Sequence, residues 1–103
     1  MGIFNNLFAT KDKVNFKELV SQGALIVDVR TPVEYDSGHI PGSLNIELAR
    51  LNASVQMLKN KKKPVITVCR SGNRSGAGMN ILNAAGIQVY NGGAWNDLQN
   101  KIA

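Results

Sequence analysis

The 103 residues hold one cysteine, one histidine and one tryptophan, and each scarcity removes a class of explanation. A single cysteine cannot close an intramolecular disulfide, so the protein is expected to work in a reducing compartment or to keep its thiol free. Nor is there a second cysteine to resolve an adduct, so any sulfur taken up by the first must pass to an outside acceptor. No cluster of His, Cys and carboxylates has metal-ligand spacing, so no metal and no cofactor are expected. Aromatic residues make up 6% of the chain and do not interleave with the basic ones, which weakens a nucleic-acid reading despite a net charge of +5. No stretch approaches the roughly 18 apolar residues of a membrane span. Met1 to Phe8 lack the basic start and long apolar core of a secretory signal, and Asn6 stands where myristoylation needs Ser or Thr. The cytoplasm is therefore the expected location. Ile3, Phe4, Leu7 and Phe8 are expected to form a short amphipathic cap, with residues 1–13 an N-terminal extension or edge segment.

What the chain does have is order. At this length it is expected to be one domain with a modest core. Asn15 to Glu18 resembles a capping box, with Phe16, Leu19 and Val20 on one helical face and Gly23 as a stop. Ala24 to Val29 is a continuous apolar run of the kind buried on both faces of a parallel sheet. Arg30 to Pro41 reads as irregular, with a short helical turn from Pro32 to Asp36. Leu51, Val55 and Leu58 recur at helical spacing, predicting a helix over about Leu48 to Asn60. Lys59, Lys61, Lys62 and Lys63 then fall at its C-terminus, where cations suit the dipole, and are expected to be solvated. Val65 to Val68 predicts a second strand. Ser75 to Ala85 predicts a helix with Ala77, Ile81, Leu82 and Ala85 inward and Gly86 closing it. Ile87 to Tyr90 predicts a third strand, Gly92-Gly93 a turn, and Ala94 to Ile102 a last helix. Strands alternating with helices imply an α/β domain with a mainly parallel sheet, in which ligands bind beyond the strands' carboxyl ends.

The cysteine sits at one such end. Cys69-Arg70-Ser71-Gly72-Asn73-Arg74-Ser75 joins the second strand to a helix start, where the dipole and unpaired N–H groups favour a thiolate. Gly72 lets successive N–H groups curl towards one centre, and Arg70 and Arg74 add charge that can hold an oxyanion. Together Arg70 to Ser75 form a cradle for an anion or a negatively charged sulfur. Cysteine phosphatases place five residues between the nucleophile and their arginine; four separate Cys69 from Arg74, and Ser75 takes the sixth position. The tighter loop suits one sulfur atom on the cysteine better than a phosphate, which counts against phosphatase or arsenate-reductase chemistry.

With Leu25 to Arg30, Glu34-Tyr35, Gly38 to Ile46, the Cys69 loop and Gly92 to Trp95, the chain resembles the rhodanese-like sulfurtransferases, and among them the small single-domain members. The resemblance covers about residues 14 to 99. It implies a single rhodanese-like domain over 1–103, with helices on both faces of a central, mainly parallel sheet. It also implies double displacement: Cys69 takes the outer sulfur of thiosulfate or a persulfide donor, becomes a persulfide, and gives that sulfur to cyanide or a thiol. A persulfide-carrying protein is a further expected partner; nucleic acid and membrane are not. The alternative is a sulfur-relay or regulatory module with little turnover alone. Arg70 and Arg74 are expected to bind the anionic donor. Asp28, Arg30 and Glu34 are expected to form an internal ion-pair set, with His39 and Trp95 structural elements beside the site.

Overall fold

The computed structural model describes residues 14–103, so the expectation for Ile3, Phe4, Leu7 and Phe8 lies outside the described residues. Four parallel strands form one sheet in the order β2-β1-β3-β4: β1 Leu25–Asp28, β2 Leu44–Asn45, β3 Val65–Cys69 and β4 Val89–Ala94. The helices are α1 Phe16–Ser21, α2 Pro32–Asp36, α3 Val55–Lys61, α4 Asn73–Ala84 and α5 Trp95–Ile102.

β1 and β3 owe their place to their apolar runs. Successive strand side chains point to opposite faces, so a strand apolar throughout can only be central. Val27, Val29, Val65 and Cys69 enter one layer with Leu51, Leu58 and Leu82 from the α3–α4 side. Ile26, Ile66 and Val68 enter the other with Leu98 of α5 and Phe16, Leu19 and Val20 of α1. Helices thus cover both faces, and all five residues of β3 are buried.

The departures from expectation have local causes. Leu48 to Asn60 is not one helix: 3-10 turns at Leu48–Arg50 and Asn52–Ser54 precede α3. The Leu48 N–H bonds Val29 O at 3.0 Å, tying the segment's start to the sheet. Asn52 and Ser54 are weak helix formers that compete with the backbone for hydrogen bonds. Leu51 and Leu58 are nonetheless fully buried. In α4 the buried residues are Ser75, Gly78 and Leu82, and Ile81 packs partly buried against the core as expected, while Ala77 is exposed. A Cβ at Gly78 would lie 3.2 Å from Leu51 Cδ2, so the helix approaches the layer at its glycine.

Gly92-Gly93 is not a turn. Both residues lie inside β4, where the pairing with β3 slips by one position: Thr67 opposes Asn91, but Val68 opposes Gly93. This extra residue is a β-bulge. Gly92 is required there by contact, since a Cβ would come within 2.8 Å of Ile66 Cγ2 and 3.0 Å of Thr67 O. The two-residue β2, too short to leave a pattern, went unpredicted. α2 matches its expected span because Thr31 and Glu34 make a reciprocal capping box with Pro32 at the first turn. At α1 the Asn15 side chain accepts the Glu18 N–H, the forward half of the expected box.

Candidate active site

β3 delivers Cys69 to the carboxyl edge of the sheet, and the chain reverses through Arg70 to Gly72 into α4. Gly72 is the helix N-cap, at φ +103°, a left-handed conformation costly for any other residue. With no side chain of its own, it leaves the first-turn N–H groups of α4 without the usual cap. The sulfur takes that role: Gly72 N–H and Ser75 N–H donate to Cys69 Sγ at 3.0 and 3.3 Å. Sγ also lies 3.3 Å from Ser75 Oγ. Burial pushes the thiol pKa up, but the Ser75 hydroxyl and the N–H groups of Ser75, Gly72 and Ser71 outweigh it, so Cys69 ionises more readily than an ordinary cysteine.

Two supports fix the floor of this loop. Thr67, fully buried in β3, donates its hydroxyl to Ser75 O at 2.8 Å. Asn91 of β4 accepts from Ser75 Oγ at 2.7 Å and donates to Gly72 O at 3.3 Å. Sequence reasoning missed both residues. Thr67 carried one signal, a hydroxyl inside an otherwise apolar buried strand; Asn91, beyond the expected end of its strand, carried none.

The two loop arginines part company. Arg70 is exposed and pairs with no carboxylate among the described residues. Arg74 is engaged by Glu34, with NH1–Oε1 and NH2–Oε2 distances of 2.7 and 2.9 Å. A substrate anion would have to compete with Glu34 for this guanidinium. The Arg74 hydrogen bonds, aided by the Thr31 N–H, hold the Glu34 carboxyl down at about 2. Arg74 is correspondingly harder to deprotonate, first because of Glu34.

The expected set of Asp28, Arg30 and Glu34 therefore divides. Asp28 and Arg30 form a buried pair, with Nε–Oδ1 at 2.8 Å and NH2–Oδ2 at 2.7 Å. Arg30 also donates to the main-chain oxygens of Glu34 and Gly38, at 3.2 and 2.7 Å. Only the backbone of Glu34 joins this group; its carboxylate turns to Arg74 and Thr31. Trp95 lies under Arg30, 5.0 Å from guanidinium carbon to ring centroid, a cation–π contact. His39 stacks on Tyr35 at 3.7 Å between centroids, and its Nδ1 meets Tyr35 O at 2.7 Å. Facing a carbonyl, that nitrogen carries the hydrogen. Among the described residues, His39 makes no hydrogen bond to Cys69.

The lysine run lies at the other end of β3. Lys59, Lys61, Lys62 and Lys63 are exposed, α3 stops at Lys61, and Lys62 caps it at φ +56°. No helix among the described residues is long and apolar enough to cross a membrane.

Comparison with known proteins agrees with this architecture. The family described as "Rhodanese-like domain" matches residues 12–99. Thiosulfate sulfurtransferase GlpE of Pseudomonas syringae is 34% identical over 73 residues, covering 70% of this chain and 68% of GlpE. An uncharacterized Synechocystis protein, slr1261, is 38% identical over 73 residues, and the match covers 70% of this chain but only 40% of that protein. The crystal structure of a rhodanese-like domain protein from Staphylococcus aureus superposes with a TM-score of 0.70 at 30% identity, over 86% of each chain.

Proposed function

The chain belongs to the rhodanese-like domain family, and from that premise we propose that it is a sulfurtransferase working through a Cys69 persulfide, with thiosulfate as donor. The observation that carries the reading is the capping of α4 by Sγ, which gives the sulfur two backbone donors at 3.0 and 3.3 Å. Cys69 thiolate attacks the outer sulfur of thiosulfate. A Cys–S bond forms, the S–S bond of thiosulfate breaks, and its electron pair leaves with sulfite. Sγ becomes neutral as its electron pair forms the new bond, and the outer sulfur keeps the charge it carried in thiosulfate. The protein's negative charge now lies on the terminal sulfur of Cys69–S–S⁻. N–H groups fixed before the reaction stabilise a charge without having to reorganise. A cyanide ion or a thiolate then attacks the terminal sulfur, forming thiocyanate or a new persulfide and returning the Cys69 thiolate. No proton need be transferred in either displacement once the thiol has ionised, so no histidine base is required.

In this scheme Arg70 to Ser75 form the cradle. Arg70, exposed beside the sulfur in the chain, receives the sulfonate end of the donor. Arg74 contributes field and keeps the helix start in register with α2 through Glu34. Asp28, Arg30, His39 and Trp95 hold the surrounding segments.

A second reading, a sulfur-relay or regulatory module with little turnover alone, is supported by the partial coverage of slr1261, where the matched domain is less than half of the whole. One set of measurements separates the two. Intact mass after incubation with thiosulfate should rise by one sulfur, about 32 Da, and Cys69→Ser should abolish the gain. Steady thiocyanate release with cyanide supports the enzyme. An adduct without turnover, loaded by a persulfide protein, supports the relay. No adduct with any sulfane donor sinks the enzyme and the relay alike and leaves only a regulatory module.

A further inference from the structure

The hydrogen bonds around Ser75 have a direction that geometry determines. Gly93 N–H lies 2.9 Å from Asn91 Oδ1, and a backbone N–H can only donate, so the Asn91 atom facing it is the oxygen. Ser75 Oγ approaches that same oxygen at 2.7 Å. The hydroxyl therefore spends its single hydrogen on Asn91. Its lone pairs are left facing Cys69 Sγ at 3.3 Å, as acceptors of a thiol S–H. A thiolate needs the reverse, because an anionic sulfur only accepts. We propose that Asn91 is a positioning residue for Cys69, holding the Ser75 hydroxyl hydrogen while the sulfur is a thiol and yielding it to the sulfur when the thiol is ionised.

The exchange leaves no buried group unpaired. Asn91 Oδ1 keeps Gly93 N–H when Ser75 turns away, and Asn91 is itself exposed, so water can occupy the vacated lone pair. Ser75 is fully buried and has no comparable solvent partner. An amide oxygen is not a base, so this is a rotation of one hydroxyl and not a proton relay; the thiol proton leaves to water. The switch comes at a cost to ionisation, since the Ser75–Asn91 bond must break as the thiolate forms. The charged groups around the sulfur are Arg70 in the loop, Arg74 of α4 with Glu34 of α2, and Asp28 at the end of β1 with its partner Arg30 just beyond. None of them bonds to Asn91 or Ser75 side chains, so changes at Asn91 leave their pairing in place.

The inference rests on Cys69 acting as a thiolate, but alkylation reads ionisation without any sulfur donor, so its failure leaves the sulfurtransferase reading standing. The experiment is the pH dependence of iodoacetamide alkylation for the wild type, Asn91→Ala and Asn91→Asp, each with and without Ser75→Ala. Asn91→Ala removes the competing acceptor and should lower the thiol's midpoint by about half a unit, a roughly threefold gain in thiolate at neutral pH. Asn91→Asp holds the hydroxyl more tightly and should raise the midpoint by about one unit, slowing neutral-pH alkylation roughly tenfold. In the Ser75→Ala background the Asn91→Ala effect should vanish, and Asn91→Asp should keep only its direct charge effect. A merely structural Asn91 would loosen the loop when removed and raise the midpoint. That result, no shift, or an equal shift in both backgrounds would overturn the proposal.

Discussion

The two ends of β3 are both electropositive, yet they are built by opposite means. At the amino end, Lys59, Lys62 and Lys63 line a groove with Leu58, Pro64 and Ile87, and their ammonium groups stand in water. At the carboxyl end, Arg70 is exposed and Arg74 is paired, and the groups that reach the sulfur are neutral: two N–H donors at 3.0 and 3.3 Å and the Ser75 hydroxyl at 3.3 Å. Full charges in solvent are screened within about 8–10 Å at physiological salt. Partial charges aimed at a buried atom are not. The chain's positive balance and the lowered pKa of its cysteine thus have separate causes.

Substitutions at each end test that separation. Gly72→Val forces a β-branched residue into the φ +103° conformation and should pull the Gly72 N–H off the sulfur. Thiosulfate turnover is expected to fall about a hundredfold, the scale of losing one fixed donor to a developing charge. Arg70→Ala should raise the thiosulfate KM roughly tenfold, as expected for one lost charge-assisted hydrogen bond. Its alkylation by the neutral reagent iodoacetamide should stay nearly unchanged. If alkylation slows as much as turnover, Arg70 acts on the thiol and not on the donor.

A smaller effect is expected at the Glu34–Arg74 clamp. Glu34 ionises at about 2 in the folded chain against an ordinary 4.5. A depressed carboxyl stabilises the fold above its unfolded value and loses that contribution as pH falls through its folded value. The wild type should therefore lose stability between about pH 5 and pH 2, and Glu34→Gln should lack this component of the slope. Because the pair is partly exposed, about 1 kcal/mol is the expected scale. Parallel pH–melting curves for the two proteins would mean that the clamp adds nothing. The smallest effect belongs to the amino end. Reversing Lys61, Lys62 and Lys63 to Glu makes the net charge slightly negative, yet thiosulfate turnover at physiological salt should stay within about twofold. A larger drop would join the two ends functionally.

How far the sequence could be read follows the same division between local and distant causes. β1, β3 and the helix after Cys69 were legible because apolar runs and a glycine-led helix start are written in consecutive residues. The cysteine's environment was legible for the same reason: both backbone donors come from within six positions of it. The partner of Arg74 was not, because Glu34 is forty residues away and only the sheet brings them together. Asn91 was hidden by the bulge. Its neighbours Gly92 and Gly93 resemble a turn until the slipped register with Thr67 and Val68 is seen. The expected long helix at Leu48 kept its inward face but not its backbone, since buried spacing alone does not distinguish an α-helix from successive tight turns.

In the proposed reaction Cys69 Sγ is at once the attacking atom and the cap of the helix that follows it. Loading a sulfur moves the negative charge one atom outward, so the Ser75 amide must follow it or lose part of its bond. Exchange of that single amide proton with deuterated solvent would then keep time with sulfur occupancy, and a spectrometer could follow turnover from the backbone, with no coloured product.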